Sequence, residues 1–161
     1  MKKNTVKAAS LGGIIMLMSA CNGEKKEPMT AAVDKEQIKK EIQAKEDDFA
    51  SIYNTGELRK IGYYADDATV FYQHRAPIAG KESIVKFLTA DLDSNTNKIT
   101  FTTKEVFPSN DGNQVVEVGE FKVVDSANNV LNSGNYMVLF EKRDGKYVSV
   151  REMSASDIPL E

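Results

Sequence analysis

The sequence predicts an α+β domain, with helices first and an antiparallel sheet after them. Three observations carry this expectation. Apolar residues recur at helical spacing between Asp34 and Gly56, and again between Gly80 and Leu92. From Lys98 onward the period changes to two, and Asp111-Gly112, Ser126-Ala127-Asn128-Asn129 and Asp144-Gly145 divide the remainder into four strand-like runs. Helices set before a sheet, rather than alternating with it, indicate α+β. At 161 residues, with 41% apolar and 28% charged, the chain has room for one domain with a real core.

In chain order, the first 20 residues read as an address. Lys2, Lys3 and Lys7 form a positive region, Ala8 to Met18 is uncharged and mostly apolar, and Ser19-Ala20 precede Cys21. A spanning helix needs about 20 apolar residues, so this shorter run fits a cleaved signal peptide. The stretch "LMSAC" resembles the bacterial lipoprotein box, with Met18 where leucine is commoner. That resemblance implies lipidation of Cys21, the only cysteine, which has no disulfide partner within the chain. Residues 21–32 then form a polar tether, and 33–161 the domain. Asn22 stands where inner-membrane retention would use aspartate, so the expected location is the outer membrane of the bacterial envelope, with the domain facing the periplasm or the surface.

Net charge is −3; less the three lysines of the first 20 residues, which hold no acid, it is −6. With no long basic run, nucleic acid is not an expected partner.

Asp34-x-x-Gln37 resembles a capping box. Ile38, Ile42, Phe49, Ile52 and Tyr53 follow near helical spacing, and Glu46-Asp47-Asp48 is expected on the solvated face. Gly56 stops this helix. A second, short helix is expected from Glu57 to about Tyr64, then a strand over Ala68 to Tyr72. A third helix after Gly80 places Ile84, Phe87, Leu88 and Leu92 on one side. In the first run of the sheet, Ile99, Phe101, Thr103 and Glu105 alternate with Thr100, Thr102 and Lys104.

The stretches "YYADDATV", "AGKESIVKF" and "GNYMVLFEKRDGKYVSVREMSASD" resemble a SnoaL-like domain of the nuclear transport factor 2-like superfamily, in the branch found in exported bacterial proteins. The likeness runs from about Val33 to Asp157. It implies three N-terminal helices packed on a strongly curved, mostly antiparallel sheet, around a cone-shaped cavity. Members serve as isomerases, cyclases, hydrolases, binding modules or dimerisation units, so fold does not fix function. Asp66 and Asp67 would cap and turn the chain between the second helix and the first strand.

Laid on the ketosteroid isomerases, the general-base position falls on Tyr72, the oxyanion tyrosine on Phe49, and the protonated aspartate on Tyr136 or Met137. The isomerase machinery is therefore not matched, and the expectation leans away from an enzyme. Strand alternation with the same resemblance puts Val148, Val150, Glu152 and Ser154 on the concave face, with Arg151 opposite. A pocket of Phe49, Tyr53, Val70, Tyr72, Tyr136, Val138, Val148, Val150 and Ser154 would suit a small apolar or aromatic molecule; the same side chains could simply fill the cone.

Glu152 is either a desolvated carboxyl able to act as a general base with Tyr72, or a hydrated rim residue. The lone His74, in the turn before Pro77, makes neither a triad nor a zinc site. No metal or cofactor is expected. The expected partners are the membrane through Cys21, a small apolar ligand, and a second copy through the sheet face.

Overall fold

The computed structural model describes residues 33–159; the expected signal peptide, Cys21 and the expected tether lie outside the described residues. The elements are α1 (Lys35–Thr55), a 3-10 turn (Leu58–Lys60), β1 (Tyr64–Phe71), β2 (Ile78–Ala79), α2 (Lys81–Ser94), β3 (Lys98–Pro108), β4 (Gln114–Val124), β5 (Val130–Arg143) and β6 (Lys146–Ser156). They form one six-stranded sheet in the order β2-β1-β6-β5-β4-β3. β1 runs parallel to β6, and every other pairing is antiparallel. This is the expected α+β architecture. Among the described residues, no helix is long and apolar enough to cross a membrane.

Local chemistry sets the limits of α1. The Asp34 side chain accepts a hydrogen bond from Gln37 N at 3.0 Å, and Gly56 closes the helix at φ 75°, a conformation glycine adopts without steric cost. Its buried residues include Ile38, Ile42, Glu46, Phe49 and Tyr53, one stripe at spacings of four and three. Glu46 belongs to that stripe, not to the solvated face expected for it. At the other end of the sheet, Asp144 (φ 51°) and Gly145 (φ 76°) make the tight β5–β6 turn that Asp-Gly predicts.

Four sequence expectations are corrected. The second helix is only a 3-10 turn, because Tyr64 already pairs with Ser149 of β6 and Ser149 N donates to Tyr63 O at 2.8 Å. Tertiary pairing overrides the short helical pattern there. Asp66 and Asp67 consequently lie inside β1, where its register with β6 slips between Tyr64 and Thr69. They cap no helix; Asp67 takes a forked pair of hydrogen bonds from Arg143, which holds its carboxyl below the usual range. In β3 the register slips between Thr103 and Glu105, so Glu105 faces solvent and Val106 turns inward. In β6 a second slip sits opposite Leu139 and Phe140. Val148 therefore pairs with Glu141 on the outer face rather than joining Val150 and Glu152 on the inner one.

α1 also seals the sheet's free edge. Strand β3 is terminal, and its outward backbone groups are taken up by helix side chains instead of another strand. Lys39 Nζ donates to Lys104 O at 2.6 Å. Gln43 accepts from Thr103 N at 2.7 Å and donates to Phe101 O at 3.2 Å. Asn54 accepts from Ile99 N at 2.8 Å and donates to Ile99 O at 2.9 Å. The two amides thus satisfy four backbone groups and fix how deep α1 sits in the cone. Gln43→Ala and Asn54→Ala should each lower stability by roughly 1–3 kcal/mol, since each orphans a partly buried donor and acceptor. Urea unfolding measures this; an unchanged midpoint would show that water serves the edge equally well.

Candidate functional site: an aromatic cavity above buried carboxyls

Cross-strand register lays the concave face out in rows. Val106, Glu117, Val138, Glu152 and Val70 are successive partners across β3, β4, β5, β6 and β1. The next row is Thr103, Gly119, Tyr136 and Ser154, and the one after it Phe101, Phe121, Gly134 and Ser156. Gly119 has a definite task. A Cβ there would lie 2.2 Å from Tyr136 Cζ, so only glycine lets the tyrosine ring lie across β4.

Above these rows opens a cavity of about 340 Å³, within the range of small-molecule sites. Phe49, Tyr53, Tyr72, Phe87, Phe101, Phe121 and Tyr136 supply its rings, and Glu152, Ser154, Ser156, Asn132, Asp91, Gln73 and Arg75 its polar groups. Tyr53 Oη donates to Asp91 at 2.5 Å, and Tyr72 packs on Phe87 with ring centroids 5.2 Å apart. The sequence-predicted pocket residues divide three ways. Phe49, Tyr53, Tyr72, Tyr136, Glu152 and Ser154 meet at the cavity. Val70, Val138 and Val150 are closed into the core beside it, and Val148 lies on the other face, as above. His74 is exposed in the turn after β1, at φ 60°.

Beneath the cavity lies a group of carboxyls that the sequence reading placed elsewhere or passed over. Glu46 is 1% exposed and Glu117 0%, deeper than most of the apolar core. Tyr63 Oη donates to Glu46 Oε1 at 2.6 Å. Thr103 Oγ1 and Tyr136 Oη donate to Glu117 Oε1 at 2.6 and 2.8 Å. The two carboxyls are close enough for each to shift the other's titration, and Glu117 Oε2 is sealed without a hydrogen-bond partner. Burial, then the charge of Glu117, pushes Glu46 well above its ordinary value of 4.5. Burial raises Glu117 too, opposed by the Thr103 and Tyr136 hydroxyls and by Glu46. Both acids are therefore held toward their protonated forms, Glu46 the more strongly.

Glu152 completes the group. Burial pushes it up to about 7, with the nearby Tyr64 hydroxyl opposing and the charge of Glu117 adding. Tyr64 Oη and Glu152 Oε2 are both sealed from solvent, and neither closes a hydrogen bond. Burial likewise holds the phenols of Tyr63, Tyr64, Tyr72 and Tyr136 above their usual range, so they remain neutral donors. None of the ion pairs among the described residues involves Glu46, Glu117 or Glu152. Nor is any group of three His, Cys, Asp or Glu placed there to hold a metal ion.

The architecture is similar to that of solved structures. One is an NTF2-like protein with a cystatin-like fold from Novosphingobium aromaticivorans, at TM-score 0.67 and 12% identity over 77% of this chain and 84% of that one. Another is a ketosteroid isomerase-like protein from Erwinia carotovora atroseptica, at TM-score 0.60 and 16% identity over 74% and 96%. A third, from Catenulispora acidiphila in complex with S-DNPA, has TM-score 0.63 and 14% identity over 76% and 96%. The fold is the nuclear transport factor 2-like cone. At these identities the likeness shows the fold alone. No protein-family model and no curated protein matches the sequence.

Within this cone, Glu152 holds a carboxyl that gains and loses its proton near neutrality at the wall of an aromatic cavity. Such a group can accept a hydrogen bond, pair with a cation or move a proton. A signal for the two deeper acids existed in the sequence. Glu46 falls four residues after Ile42 and three before Phe49, and Glu117 shares the parity of Val115 and Phe121.

The raised carboxyls make stability depend on pH in a defined direction. Glu46, Glu117 and Glu152 bind protons more tightly folded than unfolded. The stability they confer is complete below about 4.5 and is lost as pH rises through their folded values, about 7 for Glu152. Asp67, Asp111 and Asp125 are lowered from 3.8 and act oppositely, at more acid pH. Thermal melts should therefore show the highest Tm between about pH 4 and 5 and a decline toward pH 8. Glu46→Gln, which stays neutral at every pH, should raise Tm at pH 8 and flatten the decline. A Tm that climbs steadily from pH 5 to 8 would contradict the buried acid pair.

Proposed function

We propose that this is a lipid-anchored protein of the bacterial cell envelope whose cone binds a small apolar or aromatic molecule. The observation that carries the binding reading is the cavity itself, walled by rings and bordered by Glu152, Ser154 and Asn132. Rings supply contact area and a few polar groups orient the guest. The Catenulispora neighbour, solved with S-DNPA, supports binding within this fold. The anchor rests on the lipoprotein-like "LMSAC" ending at Cys21 and the polar tether after it; outer-membrane placement rests on Asn22.

A second reading is catalytic, with Glu152 as general base and Tyr72 as a neutral hydrogen-bond donor. It is favoured by a carboxyl poised at about 7 beside a cavity. The exposed Phe71, Met153 and Met137, cross-strand neighbours on the outer sheet face, support self-association there; light scattering reads the mass that decides it.

Native mass spectrometry of the purified protein tests the binding reading. A small molecule should be retained by the wild type and lost from Ser154→Phe, which fills the cavity from β6, with little change in Tm. An empty wild type that also takes up no small aromatic compound would overturn it. For the anchor, Cys21→Ser should abolish labelled-lipid incorporation and leave a soluble protein or an uncleaved precursor. Incorporation that survives the substitution would remove the lipoprotein reading.

A further inference from the structure

The cavity has an electrostatic character that its apolar walls conceal. Glu152 borders it with one oxygen sealed and unpartnered, and Asp91, which accepts from Tyr53 Oη, also lines it. Each element packed around Glu152 contributes either an acid or a neutral phenol. α1 brings Glu46, β4 brings Glu117, β5 brings Tyr136, and β1 with its flanking residues brings Tyr63, Tyr64 and Tyr72. No lysine or arginine pairs with Glu152 among the described residues. Among the described residues, the one cation lining the cavity is Arg75, at the exposed rim, and its guanidinium carbon lies 4.4 Å from the Phe87 ring centroid. The chain already places a positive charge on the face of one of the cavity's own rings.

These features select a ligand class. Aromatic faces carry negative potential and hold organic cations in a dry site. A carboxylate without a counter-ion in such a site is stabilised by a guest that brings the missing charge. An anionic guest would face Glu152 and Asp91. A neutral one would leave Glu152 uncompensated.

We propose that the cavity is a receptor for a small organic cation, an aromatic or alkyl ammonium. Its charge is set on Glu152 and its apolar part lies among rings such as Tyr72, Phe87, Phe101 and Tyr136. This rests on the binding reading above and names the chemistry of its guest. The Glu46–Glu117 pair serves the site from behind. Burial holds both of its carboxyls toward their protonated forms, so the pair places no counter-cation near Glu152.

The test is a series of near-identical probes, benzylamine, benzyl alcohol and benzoate, titrated calorimetrically into wild type and Glu152→Gln at pH 8.0 and 5.5. At pH 8.0 Glu152 is ionised, and benzylamine should bind wild type at least tenfold more tightly than benzyl alcohol, with benzoate weakest. That preference should shrink severalfold at pH 5.5, where Glu152 takes up a proton, and vanish in Glu152→Gln while benzyl alcohol binding persists. The pH arm stands even if the variant folds poorly. Benzyl alcohol matching or exceeding benzylamine at pH 8.0, or a preference that survives Glu152→Gln, overturns the cation proposal and leaves the binding cavity in place. Failure of all three probes to bind overturns both.

Discussion

The structure turns on one constraint: three carboxyls, Glu46, Glu117 and Glu152, gather on the inner side of the cone, and none of them is in an ion pair among the described residues. An isolated buried carboxylate is too costly to keep, so such groups hold protons, find donors or open toward something that supplies a charge. Glu46 holds the proton. Glu117 collects donors, from Thr103 on β3 and Tyr136 on β5. Glu152, sealed at one oxygen and bordering the cavity, has neither solution complete. Its proton is exchangeable near neutrality, and it is the one of the three that lines the cavity, where a guest molecule can reach it.

Much of the surrounding architecture serves to hold these side chains in register. The β3 slip turns Val106 inward beside Glu117, where strict alternation would have put Glu105 on the cone's inner face. That slip prevents a fourth interior carboxyl. The β6 slip lets Ser149 and Tyr147 face inward beyond Val150 while Glu152 and Ser154 stay on the cavity side. Gly119 lets Tyr136 lie across β4 and reach Glu117. Gln43 and Asn54 bind the open edge of β3 to α1, which carries Glu46 and Phe49 into the cone. Edge protection and site assembly are thus performed by the same helix.

The class of the fold was legible because it follows from periodicity and turn chemistry. The α1 stripe, the Asp34 cap, the Gly56 stop and the Asp144-Gly145 hairpin are local signals, and each is where local physics puts it. The misplacements arise where long-range pairing overrides local pattern. The short helix before β1 yields to pairing with β6, and Asp66 and Asp67 become strand residues in consequence. Val148 lies on the face opposite to the one its alternation predicts, because a slip in register leaves no trace in an alternating sequence. Among the acids, Glu46 was set outside by its two acidic neighbours, although its spacing put it on the buried stripe; residue type outweighed position. Glu152 lies at the cavity because alternation holds over the last half of β6. Its acid–base character, however, depends on Glu117 and Tyr64, and so on contacts across three strands.

The most direct measurement of this account is a carbon-13 carboxyl NMR titration with signals assigned through Glu46→Gln, Glu117→Gln and Glu152→Gln. Glu152 should titrate near pH 7, and the Glu46–Glu117 pair should keep one proton well above pH 4.5. Titration of all three near 4.5, as independent hydrated carboxyls, would contradict it.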